Sequence, residues 1–251
     1  MLTQVVLTSS LWTSLYCFVC YFWRSKSYEW SCRSVSLLHA LLITSLSYYC
    51  TFIQGPWPFT DAGGPNTSFQ ESIAIISVGY FIFDFFWCLY FQTDGQTMLC
   101  HHFVSIIALA ICLITGSYGT EIVATIFGSE ISNPFLQCRW FLKYSGNRDT
   151  AIADLVDAAF IFTFTYVRIV VGSNLLYCYL SMPHIPIFMR VASVTFYLIS
   201  WAFWITILKF GYRKCLRKYQ NFKNITKIDQ VNSGISYPKD HSLLCSKSHQ
   251  N

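Results

Sequence analysis

Six ionisable side chains lie within or beside apolar runs and carry the types needed for acid–base chemistry: Asp84, His101, His102, Glu130, Asp154 and Asp157. An imidazole with carboxylates nearby can act as general base, proton shuttle or nucleophile, so these six are the candidate catalytic residues. The competing reading is that each hydrogen-bonds across neighbouring helices as polar glue. Asp154 and Asp157 are spaced i,i+3 and share one helix face. His101 and His102 are adjacent, so on a helix they point about 100° apart and are poorly placed to chelate one ion. No CxxC or HxxxH pattern supplies a better ligand set. Neither a metal nor a bound cofactor is therefore expected. One histidine of the pair should face a central cavity while the other touches a neighbouring helix. A further pair, Glu121 and Arg168, falls toward the opposite membrane face and is expected to form a structural ion pair.

The elements that must position these groups are membrane helices. Charged residues make up only 12% of the chain and hydrophobic ones 54%, against roughly 25% charged in a soluble domain. A bilayer core of about 30 Å needs ~20 apolar residues of helix. Runs of that kind cover 2–23, 34–54, 72–91, 98–116, 150–171 and 187–210, and 118–137 is a more polar candidate. The first run lacks a basic stretch before it and a small-residue cleavage site after it, so it reads as a retained helix. Arg24, Lys26 and Arg33 follow the first run, Arg139, Lys143 and Arg148 follow 118–137, and the C-terminal tail is basic, whereas loops 55–71 and 172–186 hold no Lys or Arg. Positive charge then alternates with every crossing only if 118–137 also spans. The expectation is an all-α polytopic bundle of seven transmembrane helices, amino end outside and carboxyl end cytosolic.

With that orientation the helical rise of 1.5 Å per residue gives depths. His39 comes out about 7 Å from the cytosolic face, Asp84 about 10 Å, and the histidine pair about 5 Å. Glu130 comes out near 10 Å, and Asp154 and Asp157 near 6 and 10 Å. Ionisable groups from five helices thus share one layer of the cytosolic leaflet, which marks a functional site where intramembrane charge is costly. Asp84, one of the histidines, Glu130 and Asp157 should converge on one interior cavity.

The flanking segments carry less chemistry. Asn66-Thr67-Ser68 is an N-glycosylation sequon on the expected outer side. Beyond the last run, Lys209, Arg213, Lys214, Arg217 and Lys218 recur at helical spacing. Such a flank suits anionic lipid headgroups, each charge contributing about 1 kcal/mol near the surface, and also serves as a plain stop-transfer sequence. From Asn221 the chain is polar and aperiodic and reads as a disordered tail. Most of the eleven cysteines lie in apolar runs and offer no disulfide framework. Cys32, Cys138 and Cys215 lie beside inner membrane ends, where palmitoylation is chemically open to them, although small apolar packing residues explain them as well. The expected divisions are 1–32, a first helix with its basic loop; 33–218, a six-helix domain; and 219–251, the tail. Membrane lipids are the expected partners, and nothing points to nucleic acid.

The stretch HHFVSIIALAICLITGSY, opening at His101 and closing at Tyr118, resembles the core of the TLC domain of ceramide synthases and their relatives. GSEISNPFLQCRWFLK, from Gly128 to Lys143, is similar to the signature of the family's non-synthase branch. GPWPF at Gly55–Phe59 and GYFIFDFFW at Gly79–Trp87 complete the pattern, which runs from about Arg33 to Lys218. The resemblance implies a TLC-type barrel of helices around a lipid-sized cavity, in the endoplasmic reticulum or the plasma membrane. It implies two functions. One is membrane lipid homeostasis by binding, sensing or adjusting lipids. The other is acyl-CoA-dependent transfer like that of sphingosine N-acyltransferase, with acyl-CoA as co-substrate and His101 and His102 at the site. The synthases carry a His-Asp-x-x-Asp element where this chain has Ser129-Glu130-Ile131-Ser132-Asn133, so acid groups would have to come from Glu130, Asp154 or Asp157. A seven-helix G-protein-coupled receptor does not fit, since the third helix lacks an Asp/Glu-Arg-Tyr end and the last lacks Asn-Pro-x-x-Tyr.

Overall fold

The computed structural model describes residues 1–93 and 95–232. Helices α1 (Leu2–Phe22), α2 (Tyr28–Tyr48), α3 (Ser68–Phe91) and α4 (Gln96–Thr115) come first, α2 continuing through π-helical turns over Tyr49–Gln54. Two short helices follow, α5 (Gly119–Glu130) and α6 (Asn133–Tyr144). Helix α7 (Ala151–Thr163) runs through a second π-helical segment, Phe164–Val171, into α8 (Gly172–Ser181), and α9 covers Ile187–Asn232. Compact units divide at Leu208, giving Met1–Leu208 and Lys209–Asn251.

Local chemistry explains the boundaries. Ser27 accepts the Trp30 N–H at the start of α2, and Thr150 accepts the Ala153 N–H at the start of α7. Thr67 and Gln70 form a reciprocal capping box on α3. Gly116, at φ 64°, ends α4 in the left-handed region where a glycine carries no Cβ penalty.

Among the described residues six helices are long and apolar enough to cross a membrane: Leu2–Phe22, Tyr28–Gln54, Ser68–Phe91, Gln96–Thr115, Ala151–Ser181 and Ile187–Thr226. The seventh expected span, 118–137, is corrected. It contains α5 and part of α6, each of 12 residues, separated at Ile131 and Ser132. Pro134 explains the break, because it has no N–H to give the Glu130 carbonyl and its ring would collide with that carbonyl in a continuous helix. Twelve residues reach about 18 Å, short of a bilayer core. The expectation of termini on opposite faces rested on that span, and six membrane-length helices do not by themselves set it.

The expected barrel is also corrected. Among the described residues there is no β-sheet, only the isolated bridge between Pro65 and Ser117. The helices form a bundle in which α3 packs on α1 and α4, α2 on α5 and α6, and α6 on α7. Helix α9 approaches α4 through long aromatic side chains, with Phe196 and Phe203 against His101 at 5.3 and 5.9 Å between ring centroids. Phe196 and Phe203 also line cavities beside that contact.

Helix α1 docks on α3 through small residues and hydrogen bonds. Thr8 donates to the Ile75 carbonyl at 3.2 Å and Trp12 Nε1 to the Ile76 carbonyl at 3.3 Å. Gly79 allows the approach, since a Cβ there would lie 2.9 Å from the Ser9 backbone nitrogen. The outward faces carry exposed Leu7, Leu11, Phe18, Leu155 and Phe162, as a lipid-facing surface requires. Helix α9 extends to Asn232, beyond Asn221 where the sequence loses its periodicity; residues 233–251 of the expected tail lie outside the described residues.

Candidate functional site

Cavities of contrasting character open among the described residues of the bundle. A polar one of about 210 Å³ is lined by Asp84 of α3, His101 and His102 of α4, Glu130 of α5, Arg139 of α6 and Arg168 of the second π segment. An apolar one of about 200 Å³ has walls that include Phe52, Leu109, Ile122, Leu176 and Phe196. Phe81, Ser129 and Arg168 line both, so the cavities adjoin.

At the centre of the polar cavity His102 Nε2 lies 3.2 Å from Asp84 Oδ2. The other oxygen of Asp84 accepts from the Cys32 thiol at 3.6 Å. His101, the second of the pair, also lines the cavity but packs against Phe81, Phe196 and Phe203. Both histidines are buried. The division expected between them thus takes another form: both reach the cavity, one against a carboxylate and one against aromatic rings.

Glu130, at the end of α5, accepts from Asn133 Nδ2 at 2.9 Å, and its Oε2 stands 3.8 Å from His39 Nδ1. Gln137 in turn donates to the Asn133 side chain at 3.1 Å. His39 is fully buried and stacks on Tyr80 with centroids 3.7 Å apart. Glu130 lies outside the six membrane-length helices, and burial raises its carboxyl above the ordinary range, against the Asn133 hydrogen bond and the nearby Arg168 charge, which lower it.

Asp157 is held by Arg139, Nε to Oδ1 at 2.9 Å, and meets the cavity through that arginine. Asp154 lies half-buried one turn earlier on α7. The convergence therefore covers Asp84, both histidines and Glu130 directly. Glu121 and Arg168 take separate partners: Glu121 accepts the Gly63 N–H at 3.1 Å, and Arg168 donates to the Ser129 carbonyl at 2.6 Å. The long guanidinium arm carries Arg168 into the polar layer that its backbone position did not predict. Glu121 is raised above the ordinary carboxyl range by burial, partly offset by the Gly63 N–H.

Tyr80, Asn133 and Arg139 were not among the candidate site residues, and Cys32 stood only as a position chemically open to palmitoylation. Arg139 read as a loop charge, although its place within an apolar-aromatic run, RWFLK, was a signal that it faces a helix. The fold groups Asp84, Cys88 and His102, whose ligand atoms all lie within 4.8 Å of one another, a mixed O/S/N donor set of the kind zinc takes. The i,i+4 spacing of Asp84 and Cys88 on α3 is what aligns two of the three.

Asn66, the sequon residue, is tied into the fold. Its Nδ2 donates to the Cys112 carbonyl at 3.0 Å and its Oδ1 accepts the Gly119 N–H at 2.7 Å, while Thr67 serves as the α3 cap. A glycan on Nδ2 would interfere with the bond to Cys112.

The family model described as the TLC domain matches residues 29–210. The chain belongs to the TLC-domain family. The match takes in every residue of both cavities named above. Among curated relatives, TLC domain-containing protein 2 of Danio rerio is 30% identical over 123 residues, 48% of this chain and 49% of that protein. TLC domain-containing protein 4 A of Dictyostelium discoideum is 27% identical over 124 residues, 47% of each chain. The TLC-domain chain described here thus spans about half the length of the curated relatives it matches.

Proposed function

We propose that this TLC-domain protein binds membrane lipids in its paired cavities and acts in membrane lipid homeostasis, by sensing or adjusting lipid composition. The observation that carries the reading is the junction itself: an apolar chamber sized for part of an acyl chain meets a chamber lined by Asp84, His102, Glu130 and Arg168. An amphiphile has the same two halves, and a site that matches both orients it. Within the family, the combination of GPWPF, GYFIFDFFW and GSEISNPFLQCRWFLK resembles that of TLC domain-containing protein 5, also called transmembrane protein 136, which supports reading the chain with the non-synthase branch. The protein is proposed to reside in the endoplasmic reticulum, with its basic C-terminal flank toward cytosolic anionic headgroups.

The test is photo-crosslinking with a diazirine fatty acyl lipid on purified protein in nanodiscs, comparing wild type with Ala108→Phe and Ala192→Phe, which fill the apolar chamber. Labelling that falls in both variants while their melting temperatures hold supports the reading. Labelling unchanged in both overturns it.

The contact between His102 and Asp84 favours one second reading, an acyl-CoA-dependent lipid acyltransferase in which the imidazole acts as base or nucleophile and the carboxylate orients it. Labelled fatty acid and long-chain base, followed into ceramides and phospholipids by mass spectrometry, separates the two. A product lost with His101→Ala/His102→Ala at equal expression supports transfer, whereas equal lipid shifts from both forms leave lipid binding alone.

A further inference from the structure

Arg168 projects from the π-helical segment Phe164–Val171, a rare backbone form that recurs at functional sites. Its guanidinium lines both cavities at their junction. One nitrogen, Nη2, donates to the Ser129 carbonyl, while Nε is sealed from solvent with no hydrogen-bond partner. A guanidinium offers five N–H donors in a planar fork. The Ser129 carbonyl is a neutral acceptor and the Phe164 ring face, 4.9 Å from the guanidinium carbon, is neutral too, so the buried charge lacks a close counter-ion, which is costly.

The acids around Arg168 do not fill the role. Glu130 is its nearest electrostatic counterpart, yet that carboxylate is engaged by Asn133 and lies beside His39, and no ion pair between Glu130 and Arg168 forms among the described residues. Glu121 lines the apolar chamber but accepts from Gly63. Asp84 is occupied by His102 and Cys32, and Asp157 by Arg139.

We infer that Arg168 is the headgroup anchor of this site, and that the ligand is a single-chain amphiphile bearing an anionic oxygen headgroup. The inference rests on the lipid-binding reading and narrows it to a chemical class. A carboxylate or phosphate at the junction would accept from Nε and the free guanidinium N–H groups, while its chain extends into the apolar chamber past Leu109, Ile122 and Phe196. The apolar chamber, at about 200 Å³, favours one chain over two.

The experiment uses the full chain in non-ionic detergent and measures binding of oleate, oleoyl lysophosphatidate and oleyl alcohol by displacement of a fluorescent fatty acid. Wild type is compared with Arg168→Gln, Arg168→Lys and Ala192→Phe. Wild type should bind an anionic probe at least about tenfold more tightly than the alcohol, the scale of one hydrogen bond to a charged group. Arg168→Gln should erase that preference while alcohol binding persists, and Arg168→Lys, which keeps the charge but loses the fork, should retain part of it. Should Arg168→Gln not fold, the lysine variant carries the comparison. Whether oleate or lysophosphatidate gains more distinguishes a carboxylate from a phosphate source. Equal binding of anion and alcohol to wild type, or an anion preference untouched by either substitution, overturns the inference. No binding of any probe to wild type instead overturns the lipid-cavity reading beneath it, and loss of all binding in Ala192→Phe alone leaves that reading standing.

Discussion

His102 Nε2 lies 3.2 Å from Asp84 Oδ2, and the second oxygen of the same carboxylate accepts from Cys32 at 3.6 Å, so one acid joins α2, α3 and α4. Removing it leaves two buried polar groups without that partner. Asp84→Ala is expected to lower stability by about 1–3 kcal/mol, the cost of unsatisfied buried groups. Combined with His102→Ala, the losses should be less than additive by about 0.5–3 kcal/mol. Melting of the four proteins in one detergent checks the cycle, and full additivity would mean the two side chains do not interact.

Gly79 sits where α1 meets α3. A methyl group there would press on the Ser9 backbone nitrogen at 2.9 Å, and a backbone atom cannot swing aside as a side chain can. Gly79→Ala should cost about 1–3 kcal/mol as overpacking. Helix α1 should loosen first, which limited proteolysis of the loop around Arg24 would detect as faster cleavage.

Asn66 tethers the loop before α3 to α4 and α5 through Cys112 and Gly119. Asn66→Ala should destabilise the fold by about 1–3 kcal/mol through the loss of both bonds. Protein from mammalian cells should keep its electrophoretic mobility after endoglycosidase treatment. A mobility shift abolished by Ser68→Ala, which removes the sequon hydroxyl, would show instead that a glycan forms before Asn66 is enclosed.

Burial raises the Glu130 carboxyl above the ordinary carboxyl range, so the folded protein holds that proton more tightly than the unfolded chain. Stability linked to Glu130 is therefore present at pH below the ordinary carboxyl value and declines as pH rises through the raised one. Glu130→Gln, which cannot ionise, should remove this component. The melting-temperature difference, variant minus wild type, should grow as pH rises across that interval. A difference that stays flat with pH would mean Glu130 ionises alike in both states.

The membrane character of the chain was legible from composition and run length alone, because twenty apolar residues in a row bury their backbone polarity only as helix in lipid. Three of the expected spans, 34–54, 72–91 and 187–210, lie within the membrane-length helices, and 2–23, 98–116 and 150–171 do so but for one end residue each. The stretch 118–137 misled because charge alternation counts crossings without testing continuity; Pro134 was in plain view, and its effect on the Glu130 carbonyl decides the break.

The candidate site shows the same division. Helical rise along the apolar runs placed Asp84, His101 and His102 near one another, whereas Glu130 joined them only through the 118–137 span that does not form. Azimuth and side-chain reach do not follow from place along a run. Whether Asp84 turns toward Cys32 or His102, whether Arg139 returns to Asp157, and how far Arg168 extends toward Ser129 depend on which helices become neighbours. A guanidinium arm can also carry its charge several ångströms from its own Cα, which moves Arg168 out of the expected pair with Glu121 and into the junction of the cavities. Residue type and place along the apolar runs were thus set by sequence, while partnership was decided by packing, because contacts between helices distant in the chain exist only once the bundle has formed.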